Sequence, residues 1–193
     1  ANQVLIPLEK LYRRYTGESL AVKLSDFTDV SERIQYLVTQ VEEITKIDNF
    51  GAYLTAMLEI DAFFMNEDRH TNNIAVIYNE KTQKYELSPF FDQGLCMFAD
   101  INQDYPIDQS LEYCLEKIEA KPFSADFDIQ LDAAEERYGI QIGFQFTFKD
   151  IQIYLQKNSE NYPREVIRRV EQLLRRQMRK YGYLMKNDIT ESV

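Results

Sequence analysis

The stretch NEDRHTNNIAVIYNEKTQKYELSPFFDQG, residues 66–94, decides how this chain is read. It opens on a polar run, Asn66 to Asn73, in which Asp68 and Asn73 stand five residues apart. Ile74-Ala75-Val76-Ile77-Tyr78 is short and rich in β-branched residues, Asn79-Glu80-Lys81-Thr82 is turn-like, and Lys84 to Ser88 can return as a second strand. That pattern predicts a hairpin. It carries the chain back with Pro89-Phe90-Phe91-Asp92-Gln93-Gly94, so a second carboxylate, two residues before a glycine, arrives beside the first polar run. Carboxylates and amide carbonyls converging on loops are the oxygen donors that hard cations prefer.

On the N-terminal side the texture is helical. Leu5, Leu8, Leu11, Tyr12 and Tyr15 fall at helical spacing, with Gly17 as a stop. Asp29 and Glu32 resemble a capping box ahead of the stripe Ile34, Leu37, Val38, Val41, Ile44. Asp48 is expected to cap a third helix carrying Tyr53, Leu54, Met57, Leu58, Ile60 and Phe64, apolar nearly all round and therefore central. Beyond Pro89 the chain reads as loop and then helices near 108–119, 124–138 and 148–157. A last helix is expected from about Pro163 to Met185, with Pro163 suited to its first turn. The fold class is thus mainly α with a small β-hairpin. No repeat, low-complexity tract or linker divides the chain, so residues 1–193 form a single domain.

Composition narrows the function. A hydrophobic fraction of 45% with 28% charged residues fits a soluble globular protein. No run approaches the roughly 18 apolar residues of a membrane span. No basic segment followed by an apolar one marks a signal peptide, so a cytoplasmic protein is expected. The first residue is Ala rather than Met, as in a processed chain or one cut from something longer. Cys96 and Cys114 are far apart and are read as reduced thiols. With one histidine, His70, a His-rich metal site is excluded. A net charge of −10 disfavours a general nucleic-acid binder. The terminal helix runs against that balance, with Arg164, Arg168, Arg169, Arg175, Arg176, Arg179 and Lys180. Its apolar stripe of Val166, Ile167, Val170, Leu173, Leu174 and Met178 makes those cations a solvated face first, and a docking site for nucleic acid or an acidic partner second.

Phosphoryl transfer needs an oriented hydroxyl, held phosphates and a cation against developing charge. The Asp68–Asn73 separation matches that of Asp and Asn in the kinase loop H-R-D-x-x-x-x-N, and Asp92-x-Gly94 resembles D-F-G. Alone, D-R-H-x-x-N also fits a capped surface turn; the hairpin spacing and the P-x-F-D-x-G element together favour the site. Asp68-Arg69-His70 with Asn73, then Asp92 and Gly94 after a hairpin, resembles the HipA-type serine/threonine kinases. The inverted Asp-Arg-His order is shared with phosphoinositide 3-kinases, and the surrounding text, LEIDAFFMNEDRHTNNIAVIYNE and YELSPFFDQG, is closer to the bacterial HipA-like branch. The resemblance covers residues 5–100 well and the helical remainder in general character. It implies a protein-kinase-like C-terminal lobe that uses ATP and Mg²⁺. Asp68 would be the catalytic base or orienter of the acceptor hydroxyl, and Asn73 and Asp92 the Mg²⁺ ligands. His70 would pack or hydrogen-bond within the loop, with cofactor phosphate contact as its alternative. Arg69 is expected to be a structural ion-pair partner, Glu67 and Asn72 loop scaffolding, and Tyr85, Phe90 and Phe91 core.

Two features depart from the kinase pattern. The six glycines form no phosphate-covering cluster. Ala21-Val22-Lys23, with Glu42 or Glu43, echoes the strand lysine and its helical partner. The 45 residues from Lys23 to Asp68 are too few for an intervening lobe, hinge and helix, so the echo is rejected. A C-lobe without its N-lobe is therefore expected, and Phe90, Phe91, Leu95, Met97 and Phe98 would form its exposed apolar edge or be covered. The corresponding function is the C-lobe of a kinase acting on a protein hydroxyl, with an N-lobe or antitoxin as partner. The alternative is a silent kinase-like binding module, such as a toxin–antitoxin component.

Overall fold

A computed structural model describes residues 2–186. Strand β1 (Gln3–Pro7) leads directly into α1 (Leu8–Thr16), α2 (Leu20–Ser25), α3 (Val30–Thr45) and α4 (Phe50–Phe64). The hairpin β2 (Ala75–Asn79) and β3 (Lys84–Leu87) follows, then α5 (Leu111–Lys117), α6 (Phe127–Tyr138), α7 (Phe148–Lys157), α8 (Arg164–Lys180) and a 3₁₀ turn at Gly182–Leu184. The sheet is antiparallel in the order β1-β2-β3, with Leu5 opposite Ile77 and Val76 opposite Leu87.

Local signals set most of these boundaries. Gly17 ends α1 at φ +82°, donating its N–H to Arg13 O, a left-handed position that glycine takes at least cost. The Asp29 carboxylate accepts Glu32 N–H and starts α3, whose Ile34, Leu37, Val38 and Val41 are buried as expected.

The structure also corrects several expectations. Leu5 belongs to a strand rather than to the first helix, because Gln3–Pro7 finds unpaired backbone on β2, and the expected hairpin is a three-stranded sheet. The short α2, capped by Ser19, has no counterpart in the sequence reading. Asp48 does not cap α4. The N-cap is Asn49, and the Glu42 carboxylate, eight residues back, accepts Phe50 N–H. Helix α8 stops at Lys180, and Pro163 is its N-cap. Most of its cations are solvated, but Arg169 is 6% exposed and donates to the carbonyls of Tyr105, Pro106 and Gln109. Lys23 lies on α2 and pairs with Asp26, away from any strand, in keeping with the rejected echo.

Helix α4 is central, packing on α6, α3 and α8. Gly51 on its first turn lets the Tyr138 ring of α6 approach so closely that a Cβ there would lie 2.3 Å from it. At its other end buried Gln177 of α8 donates to Ala62 O and Phe63 O, last-turn carbonyls that the helix itself leaves open. Among the described residues no helix is long and apolar enough to cross a membrane. Cys96 and Cys114 are free thiols, and burial raises the Cys96 pKa to about 12, which keeps it un-ionised and unreactive near neutrality.

Candidate active site

The site begins where α4 stops. Met65 closes the helix in the left-handed region at φ +53°, and the carboxylate of Asp61, in the last turn, points into the following loop. Asp61 is 1% exposed, and every group facing its carboxylate is a donor. Arg69 Nε approaches Oδ2 at 2.7 Å and Arg69 Nη2 approaches Oδ1 at 3.0 Å, while Asn66 Nδ2 donates to Oδ1 at 2.8 Å. Burial raises the pKa of this carboxyl, and the guanidinium fork and the Asn66 amide oppose that shift. With only donors around it, the ionised form is the one that fits.

Arg69 is 0% exposed and does more than pair with Asp61. Its Nη1 donates to Asn73 O at 2.7 Å and to Phe91 O at 2.9 Å. Those two carbonyls therefore lie no farther apart than the two bonds laid end to end. One nitrogen thus joins the residue that ends the first polar run to the residue immediately before Asp92. The expected ion-pair role of Arg69 holds, and its position explains how two motifs separated by a hairpin are kept in register.

Within the loop, Asn73 Nδ2 donates to Asp68 O at 2.9 Å and faces Asp68 Oδ2 at 3.4 Å, which fixes the orientation of the amide. Asn73 is buried, yet no enclosed side-chain polar atom among the described residues lacks a partner. Its Oδ1, which no described donor reaches, therefore opens toward solvent. Asp92 is exposed, makes no hydrogen bond or ion pair among the described residues, and takes φ +56°. A non-glycine residue held there is a strained backbone position of the kind that clusters at functional sites. An amide carbonyl and a free carboxylate are a fitting donor pair for Mg²⁺, which keeps several waters and needs few protein ligands.

His70 keeps to the loop: its Nδ1 accepts Asn72 N–H at 3.2 Å, and its Nε2 lies 3.7 Å from Asp68 Oδ2. Glu67 accepts a hydrogen bond from the Tyr105 hydroxyl, and burial raises the Glu67 pKa. The sequence reading missed three contributors. Asp61 holds Arg69, Asn66 steadies the Asp61 carboxylate, and Lys121 Nζ reaches Asp68 Oδ1 at 3.3 Å from the loop before α6. A carboxylate on an otherwise apolar helix was the available signal for Asp61, since a buried charge needs a partner. Nothing local marks Lys121.

Of the two outcomes expected for the segment flanking Asp92, an exposed apolar edge or a covered one, the second holds for all but Leu95, the others being at least partly buried. Phe98 is 1% exposed and packs on Tyr105 with ring centroids 5.0 Å apart. Phe90 packs on Tyr53 of α4 at 5.1 Å, and Met97 donates its N–H to Phe64 O at the end of the same helix. Phe91 is half-buried, and Leu95 stays exposed. The central helix thus covers Phe90 and anchors the Met97 backbone, while Tyr105 covers Phe98. A recess of about 360 Å³ starts at Gln93 and Gly94 and continues between α7 and α8.

No family model matches the chain, and no curated protein matches it. Among solved structures it is similar to a Helicobacter pylori proinflammatory kinase, CtkA. The TM-score is 0.59 at 14% sequence identity, over 93% of this chain and 69% of that one. At that identity the likeness concerns the fold: a mostly helical chain with a small antiparallel sheet, arranged as in a kinase.

Proposed function

We propose that this chain is the metal- and phosphate-binding lobe of a HipA-like kinase that transfers the γ-phosphate of ATP to a hydroxyl of a protein. The observation that carries this reading is Arg69 Nη1, which holds Asn73 O and Phe91 O together and so brings Asp92 beside the Asp68–Asn73 loop. In the reaction a bond forms between the acceptor oxygen and the γ-phosphorus. The bond to the β-phosphate oxygen breaks, ADP leaves with that electron pair, and the hydroxyl proton passes toward Asp68. Asp68 orients the hydroxyl, and Asn73, through its amide, orients Asp68. Mg²⁺, held by Asn73 Oδ1 and the Asp92 carboxylate, would supply positive charge against the phosphates. His70 stands at the edge of the same loop and would line the phosphate side.

No glycine-rich cover lies among these 193 residues, so it would come from further sequence or from a partner chain. The chain alone is then expected to bind Mg·ATP weakly and to transfer phosphate at no useful rate, since positioning supplies most of this catalysis. The test is Mn²⁺ binding, followed by water-proton relaxation with and without ATP. Asn73→Ala and Asp92→Ala should each weaken it at least tenfold. Binding unchanged in both variants would remove the site. Rapid phosphorylation by the purified chain would refute the missing-cover argument and return Lys23 to consideration. The absence of a cover within the chain also favours a second reading, a silent module that binds a partner, for which phosphate transfer should stay absent even when a cover is supplied.

A further inference from the structure

We infer that Lys121 is a positioning residue of this site, holding Asp68 and presenting charge to the phosphoryl group in flight. The inference rests on the kinase reading of Asp68 given above. Lys121 Nζ lies 3.3 Å from Asp68 Oδ1, while Asp68 Oδ2 faces Asn73 and His70. The two carboxylate oxygens thus have different partners, and among the described residues Lys121 is the permanent cation that reaches either of them.

The lysine's backbone is anchored far better than a surface ion pair requires. Buried Gln130 of α6 donates its Nε2 to Lys121 O at 3.1 Å and accepts Phe123 N–H on its Oε1 at 3.3 Å. Ala120 N–H bonds Ala125 O at 2.8 Å, and Arg33 Nη1 of α3 bonds Phe123 O at 2.7 Å. Phe123 fills the core. The 120–125 loop is therefore tied to α3 and α6, and Lys121 extends from this fixed base toward Asp68.

An ammonium has three donors, and Asp68 takes one. An acceptor hydroxyl bound to Asp68 must sit about 3–3.5 Å from the phosphorus it attacks. The remaining donors of Lys121 are then within reach of the transferred oxygens. Positive charge near the phosphates is a recurring part of phosphoryl transfer, and Lys121 would supply it from beside Asp68. A bare surface pair would contribute little to stability or function, on the order of 0–1 kcal/mol, which defines the rival explanation.

The experiment uses the full chain and compares Mn·ATP with Mn·ADP affinity in the wild type, Lys121→Ala, Lys121→Gln and Lys121→Arg. Circular dichroism melts check that each variant is folded. The expected result is a loss of about tenfold or more in ATP affinity in the Ala and Gln variants, with ADP affinity within twofold and partial rescue by Arg. An equal fall for both nucleotides, or no change, in a folded variant overturns the role of Lys121 while leaving the site intact, provided Asp92→Ala still weakens binding at least tenfold. If the wild type binds neither complex, or Asp92→Ala binds both as well as wild type, the kinase reading fails and Lys121 falls with it.

Discussion

Replacing Arg69 with methionine tests the fold and the site through the same atoms. The change removes the guanidinium from a pocket with no solvent access and leaves the Asp61 carboxylate with the Asn66 amide alone. It also strips the shared donor from Asn73 O and Phe91 O. Breaking one side of a buried pair costs about 3–5 kcal/mol, a large part of the roughly 5–15 kcal/mol that keeps a domain folded. For a chain of this size, that lowers the melting temperature on the order of 10 °C. The double variant Asp61→Leu/Arg69→Met separates the two consequences. With no charge left to bury, much of the loss should return, short of wild type by about 1–3 kcal/mol for the two carbonyls. Cation binding should not return, because the shared donor that spaces Phe91 O from Asn73 O is then gone. Urea unfolding gives the first quantity and Mn²⁺ relaxation the second. A single variant within about 1 kcal/mol of wild type, judged against the cost of a broken buried pair, refutes the energetic argument. A double variant that regains both stability and Mn²⁺ affinity refutes the claim that Arg69 assembles the site.

Two further outcomes concern the scaffold. Burial raises the Glu59 pKa to about 7, helped by neighbouring Glu135 and opposed by the N–H groups of Gln141 and Ile142. The native state thus holds a proton that the unfolded chain releases near its ordinary 4.5, so this contribution is full below that pH and lost as pH rises to about 7. The slope is at most about 1.4 kcal/mol per pH unit. Glu59→Gln should flatten it in urea unfolding at pH 5, 6 and 7, and an unchanged slope would count against Glu59 as its source. Gly51→Ala should destabilise by about 1–3 kcal/mol through overpacking, although alanine is the better helix former by about 1 kcal/mol, because its Cβ would press on the Tyr138 ring. Calorimetry should show Tyr138→Leu recovering part of that loss, and a stabilised Gly51→Ala would show that the α4–α6 contact yields easily.

What could be read from the sequence follows the range of each interaction. The stop at Gly17, the cap at Asp29 and the stripe of α3 lie within a few residues of their partners, and they appear where periodicity puts them. Strand β1 was hidden because Leu5 continues the helical spacing of Leu8 and Leu11, while its actual partner, Ile77, is on the far side of four helices in sequence. Propensity had no means of anticipating that pairing. The cap of α4 was misassigned for a related reason: an acidic residue beside the helix start looks sufficient until Glu42 arrives from the preceding helix. In the site, Asp68 and Asn73 were legible because one loop carries both, and their hydrogen bond spans the interval that the motif prescribes. Lys121, 53 positions from Asp68, carries no pattern of its own and depends on Gln130 and Arg33 for its place.

Asp61 shows why such a site can be only half written in local rules. A carboxylate in the last turn of a helix faces the negative end of the macrodipole, and one with no solvent access adds a desolvation cost. Each rule separately argues against aspartate there. Both objections lift once Arg69 folds back over the helix end, and Arg69 can do so because Met65 accepts a left-handed backbone and Asn66 turns its amide inward. The guanidinium, now fixed, has one nitrogen left, and that nitrogen selects where Asn73 and Phe91 must sit. The local violation at Asp61 is therefore the foundation of the loop geometry, since the guanidinium it holds is what spaces Asn73 O and Phe91 O. An apolar residue at 61 would make a more comfortable helix and leave the two acidic motifs without a common anchor.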